Sequence, residues 1–289
     1  MAIALLDKHH FLLRRLHSLT GIVPIGVFLL NHLLTNSSIL WGGAALRGET
    51  APGLTPDQTH GGVVYFQKEV AWINEQVPHL LLIEITLWGA IAFHSILGVY
   101  YAMSGRANVK RYEYQGNWRY TLQRLTGYLG ILFIFYHVAT LRWGWTWLVP
   151  GGAKWSHHFA SSTLAEALRG HPENITAAGV LVALLYFAGI TAMVFHFANG
   201  LWTAAITWGL TITAQAQKRW GYACAGLGTA LMLMAWGSLA GFFLLRPADA
   251  RIVERAMLGE PAPDHAPAQA SDATAPSNAL SEAPPQEQR

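Results

Sequence analysis

The sequence has 289 residues, of which 52% are hydrophobic and only 12% are charged. Soluble domains carry about twice that share of charged residues, so this composition excludes a water-soluble globular protein. The single cysteine, Cys224, excludes an intrachain disulfide and a cysteine-ligated iron–sulfur cluster. The net charge of +3 suits Lys and Arg in the cytoplasmic loops of a membrane protein, so no nucleic-acid partner is expected.

The shortage of charge is confined to five segments without Asp, Glu, Lys or Arg. These segments are 16–46, 85–105, 125–141, 174–217 and 220–245. A helix that spans a bilayer needs about 20 mostly apolar residues, so each segment supplies one candidate spanning helix. The sequence therefore predicts an all-α integral membrane protein with five transmembrane helices, which form one domain over residues 1–246.

The first spanning helix begins at Leu16. Its apolar run continues to residue 46, well beyond the roughly 7 to 15 apolar residues of a signal peptide, so we expect the helix to be retained. The connection that follows, over 47–77, is polar and rich in Pro and Gly. Within it the pattern predicts a short amphipathic helix over 63–77.

The later helices are predicted from the remaining charge-free runs, and then the composition changes. Their expected bounds are 78–103, 120–141, 175–203 and 222–245. Residues 247–289 are dominated by Ala, Pro, Ser, Gln and Glu. Because this composition cannot bury a core, the tail is expected to be disordered.

Loop charges predict the orientation of the helices. The loop between the second and third helices is the most basic per residue, with Arg106, Lys110 and Arg111. Lys and Arg concentrate in cytoplasmic loops, so the amino terminus is expected in the cytoplasm. Five spans then place the carboxyl terminus outside.

Four histidines lie inside apolar spans, each in a different helix: His32, His94, His137 and His196. At about 1.5 Å per residue, His32 and His137 are both level near the outer surface, and His94 and His196 are both level near the inner surface. Two facing neutral imidazoles at one depth can occupy both axial positions of a haem iron. Zinc and copper sites usually gather three or four ligands. The two pairs therefore predict two haems b.

The anionic propionates of a haem need cationic or hydroxyl partners near a membrane surface. The candidates for the inner haem lie at the mouths of the first and third helices: Arg14, Arg15, His17, Ser18 and Arg124. Ordinary anchoring of basic loops is the alternative explanation for these residues. For buried histidines and for glycines in the spans, the corresponding alternative is hydrogen bonding or close packing between helices.

Several strings of residues carry a family resemblance. They are RRLHSLTG from Arg14, NHLLTN from Asn31, FHSILGVY from Phe93, NWRYTLQRLTG from Asn117, HVATLRW from His137, FHFANGLW from Phe195 and TWGLTIT from Thr207. They cover about residues 11–245, and each of the four buried histidines falls in one of them. With these strings the chain resembles the cytochrome b subunits of succinate dehydrogenases, in the single-chain, five-helix, two-haem branch found in many bacteria.

The resemblance implies ligands, partners and a location. His94 and His196 would ligate the haem nearer the cytoplasm, and His32 and His137 the haem nearer the outer face. A flavoprotein subunit would oxidise succinate, which this chain alone would not do, and an iron–sulfur subunit would dock on the cytoplasmic surface. Electrons would then pass through both haems to a quinone, menaquinone or ubiquinone, in the bacterial cytoplasmic (inner) membrane.

A quinone takes up two protons with two electrons, so a carboxylate or imidazole is expected near its ring. Glu84 is the only acidic residue well inside a span and is the first candidate. Glu75 and His79, near the membrane surface, are further candidates. Each also has an ordinary alternative, which is interhelical hydrogen bonding for Glu84 and interfacial polarity for the other two.

Other functions remain open at this point. The anchor of a quinol:fumarate reductase would share the same layout. A different di-haem membrane cytochrome normally takes two ligands from one helix, whereas this chain offers one buried histidine per helix. A transporter with histidine-mediated proton handling predicts broken helices or internal repeats, and the sequence has no clear repeat.

Overall fold

The computed structural model describes residues 9–76, 80–104 and 115–260, and these residues are all-helical, without strands. They form nine α-helices: α1 His10–Ile22, α2 Ile25–Ala45, α3 Gly61–Gln76, α4 Leu80–Ser104, α5 Gln115–Leu141, α6 Ala160–Arg169, α7 Ala177–Thr207, α8 Ala214–Leu244 and α9 Pro247–Met257. Three short 3-10 turns lie in the connections, at Pro56–Gln58, Thr146–Leu148 and Pro150–Gly152. The predicted all-α fold class is confirmed.

Five stretches of helix are long and apolar enough to cross a membrane: His10–Ala45, Leu80–Ser104, Trp118–Leu141, Ala177–Thr207 and Ala214–Leu244. Their outward surfaces carry large apolar side chains, and Leu82, Leu132 and Leu181 are 62%, 68% and 67% exposed. Surfaces of this kind are stable against lipid rather than water. The chain is a multi-pass membrane protein.

The first span consists of two helices rather than the single helix expected. α1 ends at Ile22 and α2 begins at Ile25, with Pro24 between them. Proline has no N–H group to donate, and its ring clashes with the preceding turn, so the hydrogen-bond ladder is interrupted there. The axis of α1 therefore need not continue the axis of α2.

Four spans extend several residues beyond their predicted bounds, and the first of them begins at His10 rather than Leu16. α5 begins at Gln115 rather than 120, α7 ends at Thr207 rather than 203, and α8 begins at Ala214 rather than 222. The extra turns of α5 and α8 carry charged residues, which a charge-free criterion excludes. At α8 the Thr213 hydroxyl accepts a hydrogen bond from the Ala216 N–H at 3.1 Å, a cap that contributes about 1 kcal/mol.

The helices α3, α6 and α9 pack together at one end of the bundle, and we call them the cap and that end the cap end. Their shared core comes from Val63, Val64, Phe66 and Val70 of α3, Ala165 and Leu168 of α6, and Ala250 and Val253 of α9. The amphipathic helix predicted over 63–77 is confirmed as α3, whereas α6 was not predicted. The opposite end carries Arg14, Arg15, Arg124, Lys218 and Arg219, and we call it the basic end.

The tail predicted from residue 247 is helical where it begins. α9 runs over Pro247–Met257, and its Ala250 and Val253 are fully buried. The expectation of disorder is wrong for this segment, because its apolar residues recur at helical spacing and meet apolar surface on α3 and α6. Residues 261–289 lie outside the described residues.

Glu254 of α9 is a fully buried carboxylate at the centre of the cap. Its Oε1 accepts hydrogen bonds from the N–H groups of Ser161, at 2.7 Å, and Ser162, at 3.1 Å, in the first turn of α6. Those N–H groups have no partner inside their own helix, and the helix dipole is positive there. Burial nevertheless raises the pKa of Glu254 above its usual value, because it penalises the charged form more than these contacts favour it.

Candidate functional site: two facing histidine pairs

The four histidines inside the spans are half-buried and face each other in the two pairs that their depth predicts. The His32 ring of α2 and the His137 ring of α5 have centroids 5.8 Å apart and are inclined by 81°. The His94 ring of α4 and the His196 ring of α7 have centroids 6.0 Å apart and are inclined by 80°. The first pair lies toward the cap end, and the second toward the basic end.

Hydrogen bonds fix the tautomer of the basic-end pair. His94 Nδ1 lies 2.9 Å from the His17 carbonyl oxygen, and His196 Nδ1 lies 3.0 Å from the Gln123 carbonyl oxygen. A carbonyl oxygen only accepts, so each Nδ1 carries the proton and each Nε2 keeps its lone pair. In the cap-end pair, His137 Nδ1 lies 3.3 Å from the Tyr186 hydroxyl. These are the contacts that orient a metal-ligating imidazole.

A polar chain extends from His196 to the basic end. The Gln123 amide donates to the His196 carbonyl at 3.1 Å, so Gln123 holds the backbone of this residue as well as its ring. The Asn199 amide donates to Gln123 Oε1 at 2.8 Å and accepts from Arg119 Nε at 2.8 Å. Sequence reasoning missed Gln123 and Asn199, because polar residues one turn apart on two helices give no signal until the helices are docked.

Glycines make room for the imidazole rings. A Cβ atom on Gly21 would lie 2.6 Å from His94 Cε1, and one on Gly127 would lie 3.1 Å from His196 Cε1. The first distance is shorter than real Cβ contacts, so a side chain at Gly21 would displace the ring. The close approach of α1 to α4 and of α5 to α7 therefore depends on these two residues.

The donor set fits an iron porphyrin. Two imidazoles bonded in line to one first-row transition metal, at about 2 Å each, have centroids roughly 6 Å apart. Both pairs match this separation. Among the described residues, no group of three or more His, Cys, Asp or Glu side chains could share a metal ion. Paired imidazoles between apolar helices therefore suit the axial ligation of a haem better than a zinc site of three or four ligands.

Unpaired polar atoms surround the basic-end pair. His17 stacks on His94 with centroids 4.0 Å apart and an angle of 13°, and its ring meets that of Tyr101 edge-on at 5.8 Å. Arg15 Nε, His17 Nδ1 and the Tyr101 hydroxyl are buried without a hydrogen-bond partner among the described residues. Buried polar groups rarely stay unpaired, so this corner suits an anionic group such as a propionate.

The other residues predicted for the propionates have different surroundings. The Arg14 guanidinium lies 6.0 Å from the centre of the Tyr101 ring, beside the same corner. Ser18 Oγ donates to the Arg15 carbonyl at 2.9 Å and accepts from Trp208 Nε1 at 2.8 Å. Arg124 donates to the Ala102 carbonyl. The structure thus groups Arg14, Arg15 and His17, and gives Ser18 and Arg124 partners within the protein.

Two of the three residues predicted for the quinone, Glu84 and Glu75, lie toward the cap end. The Glu84 carboxylate forms an ion pair with Arg142, with 2.7 Å between Oε1 and Nη2 and a further hydrogen bond from Nε at 2.9 Å. Stacked Trp88 and Trp143 rings, 5.7 Å apart, join the same two segments of chain. Glu75 is exposed at the end of α3. His79 lies outside the described residues.

A second carboxylate near the cap-end pair was missed by sequence reasoning. Glu69 of α3 faces the hydroxyls of Thr35 and Ser38 on α2, and Thr35 is about one turn beyond His32. Its Oε2 is buried and has no hydrogen-bond partner among the described residues. Burial raises the pKa of Glu69 more than the two hydroxyls lower it. Glu69 belongs to a polar connection in the sequence, so a search of apolar spans passes over it.

Comparison with known proteins identifies one similar protein. The chain is 29% identical over 212 residues to the succinate dehydrogenase cytochrome b558 subunit of Bacillus subtilis (strain 168). The similarity covers 73% of this chain and 86% of that subunit. No protein-family model and no solved structure matches the chain. The chain is therefore similar to a succinate dehydrogenase cytochrome b subunit, which is the kind of protein that its sequence strings resemble.

Proposed function

We propose that this chain is the membrane-anchoring cytochrome b subunit of a succinate:quinone oxidoreductase and conducts electrons through two haems b to a membrane quinone. The observation that carries the proposal is the pairing of four histidines inside the spans, from four helices, at two levels of the bundle. The name of the Bacillus subtilis relative supports the same assignment. The partners are a flavoprotein subunit, which oxidises succinate, and an iron–sulfur subunit.

Each histidine pair would hold one haem. His94 and His196 would ligate its iron at the basic end, and His32 and His137 would do so at the cap end. A bound haem iron supplies one-electron reduction and oxidation. The protein's own part is to keep each Nε2 lone pair available, through the hydrogen bonds at Nδ1, and to exclude water with apolar helices.

The basic end faces the cytoplasm in this proposal. Arg14, Arg15, Arg124, Lys218 and Arg219 lie there, and cytoplasmic segments of membrane proteins are enriched in such residues. The iron–sulfur subunit docks at this end. Electrons therefore enter near His94 and His196 and leave near His32 and His137.

The quinone reacts at the cap end. Conversion of a quinone to a quinol consumes two electrons and two protons, so proton donors must lie near its ring. Glu84 and Glu69 are the candidate carboxyl groups on that side, and Glu75 and His79 are further candidates from the sequence. Because burial raises the pKa of Glu69, this group holds its proton closer to neutral pH than an exposed carboxyl group does.

The test is a reduced-minus-oxidised spectrum with haem quantification of the purified complex, after replacement of each of these four histidines by Ala. Each single replacement is expected to remove one of two haems, and the two replacements within a pair to remove the same one. His158→Ala, at an exposed position, is the matched control and should leave both haems in place. Haem content unchanged by all four replacements would contradict the proposal.

A further inference from the structure

A long cleft lies between α7 and α8, on the side of the bundle that faces lipid. Its volume is about 1010 Å³. Tyr222 and Leu233 on its wall are 67% and 63% exposed, so it opens to the surroundings of the helices. A cleft of this size accommodates a small amphiphilic molecule. Neither the proposed haem sites nor the proposed quinone region uses it.

The cleft is polar at one end and apolar at the other. Arg119, Asn199 and Lys218 line it at the basic end, and Met232, Leu233 and Trp236 line it deeper in the bundle. From Lys218 to Leu233 is about 22 Å along α8, whereas one leaflet of the hydrocarbon core is about 15 Å thick. Because the charged side chains of Arg119 and Lys218 belong at a membrane surface, the cleft is long enough to extend from that surface through the acyl chains of one leaflet.

The polar end is cationic and is held in place. Arg119 donates from Nε to the side-chain oxygen Oδ1 of Asn199 at 2.8 Å, and its guanidinium lies 3.8 Å from the centre of the Trp202 ring. Asn199 is itself only 4% exposed, so the guanidinium is fixed by a buried partner. Lys218 adds a second positive charge, and no Asp or Glu is among the described residues that line the cleft.

We propose that this cleft binds one anionic phospholipid, with its phosphate at Arg119 and Lys218 and an acyl chain along α7 and α8 toward Trp236. Basic pockets between transmembrane helices on the cytoplasmic side recognise such headgroups. The net negative charge decides among membrane amphiphiles, because the phosphate of phosphatidylcholine is neutralised by its own choline and a quinone ring is uncharged. None of the four histidines of the two pairs lines the cleft, and lipid binding there goes beyond the proposed function.

The first test counts retained lipid by native mass spectrometry. The purified complex is reconstituted in nanodiscs that contain equal amounts of phosphatidylglycerol and phosphatidylcholine. The complex is then released from the nanodiscs in the mass spectrometer, and the lipid molecules that remain bound to this subunit are counted. The wild type is expected to retain phosphatidylglycerol preferentially. Lys218→Gln should retain about fivefold less, since each basic residue near a surface contributes about that factor. Arg219→Gln removes the neighbouring exposed charge, which does not line the cleft, and should retain the wild-type amount.

The second test fills the cleft rather than changing its charge. Ala225 lines the cleft and is exposed, whereas Ala223 is exposed but does not line it. Ala225→Trp should lose the bound phosphatidylglycerol, and Ala223→Trp should keep it. Equal retention of both lipids by the wild type, or retention unaffected by both Lys218→Gln and Ala225→Trp, would overturn the proposal. Displacement of the lipid by millimolar inorganic phosphate alone would also overturn it, because the site would then bind an anion without requiring a lipid. Neither test depends on haem content.

Discussion

At the scale of single residues, Asn199 lies on the path from the basic surface to His196. Its amide joins Arg119 to Gln123, and Gln123 in turn holds both the ring and the backbone of His196. The buried amide therefore acts on the imidazole through a neighbour, as the outer hydrogen-bond partners of metal ligands do.

Replacement of Asn199 by Leu should change the proposed basic-end haem and leave the proposed cap-end haem unaltered. The substitution leaves Gln123 Oε1 without its partner, so the hydrogen bond from His196 Nδ1 to Gln123 weakens and the imidazole becomes less basic. We expect the midpoint potential of that haem to rise and its affinity to fall by about tenfold. Potentiometric titration of the complex measures both haems. Asn74→Leu, on α3, is the control, and equal potentials in wild type and Asn199→Leu would contradict this role.

Glu69 gives a second prediction at this scale. Its pKa is raised by burial, so the carboxyl group is protonated below that pKa and loses its proton as the pH rises through it. Succinate-dependent quinone reduction should therefore fall over that pH range. Glu69→Gln should lower the rate by about 10²-fold and remove that part of the pH profile. The control is Glu49→Gln, which affects only an exposed ion pair with Lys68. A variant with the wild-type rate and profile would exclude Glu69 from proton delivery.

At the scale of helices, the cap depends on a contact between the end of one helix and the side of another. Glu254 of α9 satisfies the N–H groups of Ser161 and Ser162 at the start of α6. Glu254→Ala should destabilise the cap by about 1–3 kcal/mol, because those N–H groups are left unpaired in a buried place. Glu254→Gln keeps an acceptor oxygen and should be tolerated. Hydrogen exchange of the α6 amides measures the difference, and equal protection in wild type and Glu254→Ala would contradict it.

The same carboxyl group makes cap stability depend on pH. Its folded pKa lies above its unfolded value, so its contribution is fully present below the unfolded pKa and is lost as the pH rises through the folded pKa. Protection of α6 should therefore decrease with rising pH in the wild type. Glu254→Gln should show a flatter profile, and an equally steep one would indicate another titrating group.

The sequence predicts the features that the bilayer determines, which are the spans and the depths of the histidines. It does not predict the helices and contacts that depend on packing between distant segments. The spans follow from the absence of charge, and the levels of His32 and His137 follow from the rise of a helix. The helices α6 and α9 were missed because each is short and amphipathic and carries charged residues, including Glu254 at the centre of the cap. Such a segment is helical only because it meets two others. The partner of Glu84, Arg142, is 58 residues away and was equally inaccessible.

At the scale of the whole molecule, the two histidine pairs divide the membrane. His137 lies on α5 ten residues beyond Gly127, which approaches His196, so the pairs are about 15 Å apart along the bundle. This distance is about half of the hydrocarbon core. An electron that moves between the two sites therefore crosses about half of the transmembrane potential.

A membrane potential should shift electrons between the two proposed haems. Moving one charge across 100 mV changes its energy by about 2.3 kcal/mol, so half of that drop is about 1.1 kcal/mol, or roughly a sixfold change in the ratio of the two reduced haems. Spectra of partly reduced complex in sealed vesicles, before and after a potassium diffusion potential, measure this shift. An ionophore should reverse it. If the ratio of the two reduced haems did not change with the potential, the two sites would lie at the same depth in the membrane.

The cap is assembled from segments that are far apart in the chain, one after the first span, one before the fourth and one after the fifth. Its core also includes Tyr186, whose hydroxyl reaches His137. Because α9 follows all five spans, the cap is completed only after the last span has been synthesised and inserted. The packing around Tyr186, which contacts His137, is therefore incomplete until α9 docks on α3 and α6.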